Sequence, residues 1–304
     1  MEEFLTCKKL EEAYGAQLRI CKEQCLHESK VWHLANWKRI NANKVEIALC
    51  GNCGKYLGKR TALKQGKLPE SIVIEDVCHK YKSEGVHVEC LIAPPAINWK
   101  TVPDQLRFYF NAISQIDTGG GITCTDVKLL CKIKEYIDAT NVFIVGNAFG
   151  FSACCFAEIF KNAIIDVIDA EIDGVENIAG SKITRSLSSK YYNNRIRLTI
   201  GFSPDDTCNA VLKQDIRYNI VLIDGLHTIE QMVKDFRGIK PYLDKDAFAV
   251  VFHDVGLFKL EKGFSILEDE FKELGINQII PVLDYNICGT GFVAKNLAIE
   301  TSFL

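Results

Sequence analysis

The chain has no excess of positive charge: 36 Lys and Arg stand against 39 Asp and Glu, a formal net charge of -3 over 304 residues. Without a basic field, the sequence-independent attraction to phosphate backbones is missing, so no nucleic-acid partner is expected. No uninterrupted apolar run is long enough to cross a bilayer. The opening Met1-Glu-Glu-Phe-Leu-Thr-Cys7 has neither the basic start nor the apolar core of a secretory signal. These absences lead us to expect a cytoplasmic protein with no membrane partner that acts on a small molecule, with homodimer formation left open. A disulfide framework is not expected either. The thirteen cysteines are scattered, several sit inside apolar runs, and the expected compartment is reducing. Cys154 and Cys155 read as small buried hydrophobes.

What is present is most informative at Asn141-Val-Phe-Ile-Val-Gly-Asn-Ala-Phe-Gly-Phe-Ser-Ala153. An apolar run ends in Gly146-x-x-x-Gly150, and a helix is expected at once, over 152–161. Strand, glycine turn and helix in that order suit a nucleotide-type cofactor: glycine permits a tight turn and close approach, and the free N–H groups of the new helix offer donors. Downstream the chain alternates between the two periodicities, with strands expected at 142–145, 163–168, 195–200, 218–223 and 248–252 and helices between them. Such alternation predicts an α/β fold with a doubly wound, mostly parallel sheet. Two further strands, 278–283 and 291–295, are close enough in sequence to form a terminal antiparallel hairpin.

In an open α/β sheet, ligands sit beyond the carboxyl ends of the strands, so polar residues there carry the most weight. Asp169, and after it Glu171, could accept hydrogen bonds from ribose hydroxyls; capping the next helix is the plainer role for either acid. Phe202 could contact an adenine, and Ser203 or Asp205 could hydrogen-bond it, although Ser203-Pro-Asp-Asp206 is also an ordinary helix start. Asp224 and Asp254 end what should be neighbouring strands about 4.8 Å apart, within reach of one small divalent ion such as Mg2+. Because side chains alternate faces along a strand, His253 and Asp254 should not both point inward unless the strand has ended, and Asp254 is the preferred ligand. His227, in the loop after Asp224, could take a proton from a polarised hydroxyl as general base; a structural or capping histidine is the alternative.

These motifs, Val142-Phe-Ile-Val-Gly-Asn-Ala-Phe-Gly-Phe-Ser152, Ile168-Asp169, Tyr218-Asn-Ile-Val-Leu-Ile-Asp-Gly-Leu-His227 with Asp235 downstream, Val251-Phe-His-Asp-Val255 and Gly289-Thr-Gly-Phe-Val-Ala-Lys295, resemble class I S-adenosylmethionine-dependent methyltransferases. The nearest group is the metal-dependent sugar and macrolide O-methyltransferases and the cephalosporin hydroxylase-like proteins. The resemblance spans Gly119 to Lys295. It implies a seven-stranded Rossmann-like sheet and a methyl donor held over Gly146, Asn147, Phe149 and Gly150 with Asp169. It further implies metal ligands at Asp224 and Asp254, and His227 as base in O-methylation of a small polar acceptor. Where the family commonly carries an acid two residues before the first glycine, this chain has Ile144. A nicotinamide-dependent oxidoreductase and a non-catalytic binding module are the rival readings.

The amino-terminal third is read as helices over 1–43, a small Rossmann-like unit over 44–100 and the methyltransferase domain from 101 onward. In the small unit, Val45–Leu49 is a strand, Gly51-x-x-Gly54-x-x-x-Gly58 opens a helix, and a second strand ends at Glu75-Asp76. Cys50 and Cys53, with Cys21, Cys25 and His27, have some of the spacing of a zinc site, but the second pair is irregular and zinc is not expected.

Overall fold

A computed structural model describes residues 30–34, 45–50, 56–61, 69–92, 106–111, 118–119, 121–172, 174–207, 215–283 and 289–301. The chain divides into two units, 1–67 with 89–107 and 68–88 with 108–304.

In the smaller unit, β1 (Lys30–Leu34), β2 (Val45–Cys50) and β3 (Tyr56–Thr61) form an antiparallel sheet, with Ile47 opposite His33 on one side and Lys59 on the other. This corrects two expectations for residues 44–100. Gly58 lies inside β3 rather than in a turn that opens a helix, and the run 71–74 belongs to a helix, α1 (Pro69–Ser83), rather than to a strand. Ile74, Val77 and Tyr81 are the buried positions of α1, a spacing of three and four that only a helix brings to one face. Residues 106–111 form β5 (Leu106–Asn111), which follows β4 (His87–Ile92) and precedes β6 (Thr118–Gly119) along the chain. The helices expected in 1–43 lie outside the described residues except at β1, as do Cys21, Cys25, His27 and Cys53.

The larger unit is built on a seven-stranded sheet. Its strands are β7 (Asn141–Val145), β8 (Ile164–Asp169), β9 (Ile196–Ile200), β10 (Ile220–Ile223), β11 (Phe248–Phe252), β12 (Gln278–Leu283) and β13 (Thr290–Lys295). Their order is β12-β13-β11-β10-β7-β8-β9. β10 pairs in parallel with both β7 and β11, β8 with both β7 and β9, and β13 runs antiparallel to both its neighbours. The expected architecture is therefore present, hairpin included. The central strands read as continuous apolar runs because helices cover both faces of the sheet: all of β10 and β11 is buried, as is β7 after its first residue.

Helices α2 (Cys124–Tyr136), α3 (Phe151–Ile159), α4 (Val175–Tyr191) and α5 (Ile229–Ile239) supply the crossovers. After β11 come three short helices, α6 (Val255–Phe258), α7 (Lys262–Ile266) and α8 (Glu268–Leu274). Under one sheet face, Phe143, Phe236, Phe248, Phe252, Phe264 and Phe271 form the core, and complete burial of each such side chain contributes about 1.5–3 kcal/mol. One charged group is held inside the sheet. Asp166 receives Arg197 Nε and Nη2, both at 2.6 Å, and the Tyr218 hydroxyl at 2.7 Å, so its carboxylate is fully paired.

The order of strands places a topological switch between β7 and β10: the chain leaves β7 toward β8 on one side and returns to β10 on the other. Ligand crevices open at the carboxyl ends of the strands at such a point. Val145 of β7 is in register with Ile223 of β10 and Ile168 of β8, so the glycine turn, Asp169 and Asp224 begin at the same level.

Candidate active site

The glycine turn is shaped by its neighbours. Gly146 has φ +95°, its N–H donates to Ile168 O at 2.9 Å, and a Cβ there would lie 2.0 Å from the carbonyl oxygen of Asp224. Its missing side chain thus serves the close approach of β7 to the end of β10. Gly150, φ +77°, begins α3, and a Cβ on it would strike Thr184 Oγ1 at 2.0 Å. Asp169 clamps the turn. Its Oδ2 accepts from Asn147 N (2.6 Å) and Ala148 N (3.3 Å), and its Oδ1 accepts from Glu171 N (2.7 Å) and Asn177 Nδ2 (3.4 Å). The side chains of Asn147 and Phe149 are buried: Asn147 Oδ1 receives the Thr184 hydroxyl, while Phe149 O receives the Tyr81 hydroxyl at 2.5 Å. Only backbone and small surfaces of the turn face outward. Glu171, left-handed at φ +52°, is partly exposed beside it, and Phe202 is 58 % exposed at the end of β9. Ser203 O receives Gln231 Nε2 of α5 at 2.6 Å.

At the ends of β10 and β11, two acids and two histidines converge. His227 Nε2 lies 3.6 Å from Asp224 Oδ1 and 3.3 Å from Asp254 Oδ2. His253 Nδ1 lies 3.1 Å from Asp224 Oδ1 and 3.5 Å from Asp254 Oδ1. Both His253 and Asp254 face the cluster because β11 has stopped at Phe252 and Asp254 turns left-handed (φ 57°, ψ 20°), which ends the alternation of a strand. The same turn starts α6, whose Phe258 stacks on the His227 ring with centroids 4.4 Å apart and planes 8° from parallel. On its other side His227 is fixed by the start of α5, where the Thr228 hydroxyl caps the helix by accepting from Gln231 N at 3.2 Å.

Behind the cluster stands an acid that the sequence reading did not pick out. Asp126 Oδ2 faces His253 Nε2 at 3.2 Å and accepts from Thr123 N and Thr123 Oγ1, each at 2.7 Å; its Oδ1 accepts from the Thr290 hydroxyl of β13 at 2.5 Å. The Thr123 N–H can only donate to it, and with both hydroxyls and His253 beside it the carboxyl is lowered, which favours the anion. The sequence signal was Thr123-x-x-Asp126, the capping box of α2, which marks a helix start but not a partner 127 positions away.

The electrostatics follow from burial opposed by pairing. Burial alone would push Asp224 up, but His253 and His227 beside it bring its carboxyl down. Burial likewise would raise Asp126, and His253, Thr290 and Thr123 more than offset it, so it too is lowered. For both histidines the signs reverse: burial disfavours the imidazolium, yet Asp224 and Asp254 raise His227, and the same two acids with Asp126 raise His253 well above the ordinary value. Three acids around two imidazoles make this a place for positive charge. Within it, His227 Nε2, His253 Nδ1 and Asp254 Oδ1 are buried and make no hydrogen bond of acceptable geometry. Asp224, His253 and Asp254 can each aim one ligand atom at a common point, those atoms lying within 4.8 Å of one another. Carboxylate and imidazole atoms converging without hydrogen-bond partners in a shielded, negative site are what a divalent cation needs once it displaces the imidazole protons. The residues present fit one.

A mostly parallel sheet with one reversed strand, a glycine turn at the switch point and acids at the next strand ends thus meet at a single crevice. Residues 144–255, from β7 to the start of α6, match the family model described as a methyltransferase domain. No curated protein is matched by sequence. Among solved structures the chain is similar to a putative caffeoyl-CoA O-methyltransferase from Staphylococcus aureus, with 17 % identity, a TM-score of 0.45, and coverage of 58 % of this chain and 86 % of that one. It is similar also to an O-methyltransferase from Bacillus cereus in complex with S-adenosylhomocysteine, with 13 % identity, a TM-score of 0.45, and 75 % and 92 % covered. The O-methyltransferase TomG from Streptomyces achromogenes, involved in tomaymycin synthesis, aligns at 11 % identity and a TM-score of 0.45 over 76 % of this chain and 90 % of that one. Among the described residues no helix is long and apolar enough to cross a membrane.

Proposed function

We propose that this domain moves the methyl group of S-adenosylmethionine to a hydroxyl oxygen of a small polar acceptor. The observation that carries the proposal is the position of His227 Nε2, 3.3 Å from Asp254 and 3.6 Å from Asp224, at the strand ends that adjoin the glycine turn. His227 takes the acceptor's proton; the oxygen then attacks the methyl carbon, the carbon–sulfur bond breaks, and the products are the methyl ether and S-adenosylhomocysteine. Phe258 keeps the imidazole plane fixed during this transfer, and general-base assistance of this kind is worth about 10²–10⁴ in rate. Asp224 and Asp254 would hold a divalent ion such as Mg2+, which when bound lowers the cost of the acceptor's negative charge.

The donor lies against the backbone of residues 146–150. Asp169 is occupied with four donors of the turn and its flank, so it acts as the clamp, and Glu171, partly exposed two residues on, takes the ribose hydroxyls. Ile172, Ile200 and Phe202, exposed at 60, 44 and 58 %, offer an apolar wall to the adenine, with Ser203 at its edge. Calorimetric titration with S-adenosylhomocysteine, in Mg2+ and in chelator, tests the donor site before any acceptor is known. Binding in at least one condition is expected; a folded protein that binds in neither would overturn the proposal.

A further inference from the structure

The third member of the acid–imidazole cluster decides which ion it takes. We propose that His253 Nδ1 is itself a metal ligand, oriented by Asp126, and that the resulting set of two carboxylates and one imidazole selects a first-row transition ion such as Mn2+ over Mg2+. The inference rests on the reading of Asp224 and Asp254 as metal ligands.

Asp126 is the key to the tautomer. Thr123 N–H donates to its carboxylate, which the Thr123 and Thr290 hydroxyls and His253 hold as the anion, so toward His253 it can only accept and Nε2 carries a proton. Nδ1 is then the nitrogen turned toward the cluster, where the proton that Asp224 and Asp254 favour on it in the free protein would give way to a cation. It sits 3.1 Å from Asp224 Oδ1 and 3.5 Å from Asp254 Oδ1, buried and out of line for a hydrogen bond to either. Two carboxylates facing this nitrogen at this range call for positive charge between them, which a metal ion supplies in place of the proton. A carboxylate that orients a ligating histidine through its far nitrogen is the usual support of such centres. His253 and Asp126 have side chains only 2 % exposed, so neither can swing out to solvent. Magnesium keeps to oxygen donors, whereas imidazole adds affinity for transition ions in the order that runs upward from Mn2+.

The test uses the whole chain, stripped of metal, with Mn2+ and Mg2+ as probes. Calorimetry should give Mn2+ an advantage on the order of tenfold over Mg2+. Electron spin-echo spectra of the bound Mn2+ should carry the nitrogen modulation of a directly coordinated imidazole, and this should persist in His227→Ala, leaving His253 as its source. Asp126→Asn should weaken Mn2+ binding by about 10–100-fold, and His253→Asp should abolish the modulation and narrow the preference over Mg2+. The wild-type and His227→Ala spectra decide the matter even if the buried variants fail to fold. Loss of the modulation in His227→Ala would overturn the proposal by making His227 the nitrogen ligand. Equal affinity for the two ions without nitrogen modulation would overturn it while leaving an all-oxygen metal centre intact; binding of neither ion would remove the metal reading as well.

Discussion

Replacing Gly146 with alanine should damage the protein in a way that can be separated into two parts. The first is strain: at φ +95° an L-residue costs about 1–2 kcal/mol, less a few tenths recovered because alanine restricts the unfolded chain. The second is collision. The new Cβ would stand 2.0 Å from Asp224 O, whereas real Cβ contacts essentially never fall under 3.0 Å, so the end of β10 must retreat by about an ångström. That movement strains the hydrogen bonds Gly146 N to Ile168 O and Asp224 N to Val145 O, both 2.9 Å, each worth about 1 kcal/mol. The total is about 3–4 kcal/mol, which for a unit of roughly 200 residues lowers Tm by roughly 10 °C. Gly85→Ala is the matched control. Its φ is +76°, but nothing lies within 4 Å of the added Cβ, so only the strain remains and Tm should fall by about 2–4 °C. Thermal melts of the two variants, with titration of S-adenosylhomocysteine into each, provide the measurement. If the two melt alike, the close approach of β7 to β10 is not what requires glycine, and the reasoning fails.

His227→Ala should lower turnover by about 10²–10⁴ while leaving the dissociation constant for S-adenosylhomocysteine within about twofold, and unchanged turnover with a confirmed acceptor would refute the base assignment. Burial pushes Asp235 up to about 6, against hydrogen bonds from Ser203 and Gln231 that pull it down. Because this folded value exceeds the ordinary 3.8, its contribution is present in full below about pH 4 and is lost as pH rises through about 6. Asp235→Asn should therefore gain stability on the wild type by up to about 3 kcal/mol between pH 4 and pH 8, and urea midpoints that differ equally at both would contradict this. Arg197→Met strips the bidentate partner from buried Asp166 and should cost about 3–5 kcal/mol, while pairing it with Asp166→Leu should recover much of that loss in denaturant titrations. A double variant no more stable than Arg197→Met would mean that packing, not the stranded charge, carries the cost.

Much of this architecture is legible in the sequence wherever burial is two-sided. Val142–Val145, Ile220–Ile223 and Phe248–Phe252 read as strands because helices cover both faces and leave no polar position to confuse the period. The amino-terminal region reads poorly for the converse reason. Ile72, Val73 and Ile74 are three apolar residues in a row, as in a strand, yet Ile72 is 43 % exposed and only Ile74 points inward with Val77 and Tyr81. At the site, Asp224, His227 and Asp254 stand out as polar residues that end apolar runs. His253 is discounted by the alternation of a strand that has in fact already finished, and Asp126 is hidden because its capping motif accounts for it locally. Asp169 shows the limit of positional reasoning: its place at a strand end is as expected, while the four donors that occupy it are visible only in three dimensions.

The bond from Thr290 to Asp126 reaches across 164 positions. As the chain emerges from the ribosome, every acid and imidazole of the cluster is available once β11 has been made, but Asp126 still lacks a hydroxyl on one oxygen. β12 also has no partner, because its place in the sheet is beside β13, which follows it. Closing β13 between β11 and β12 therefore completes the sheet and the acid's setting in one event. The centre matures last, and a nascent chain cannot present the finished site before the fold around it is sealed.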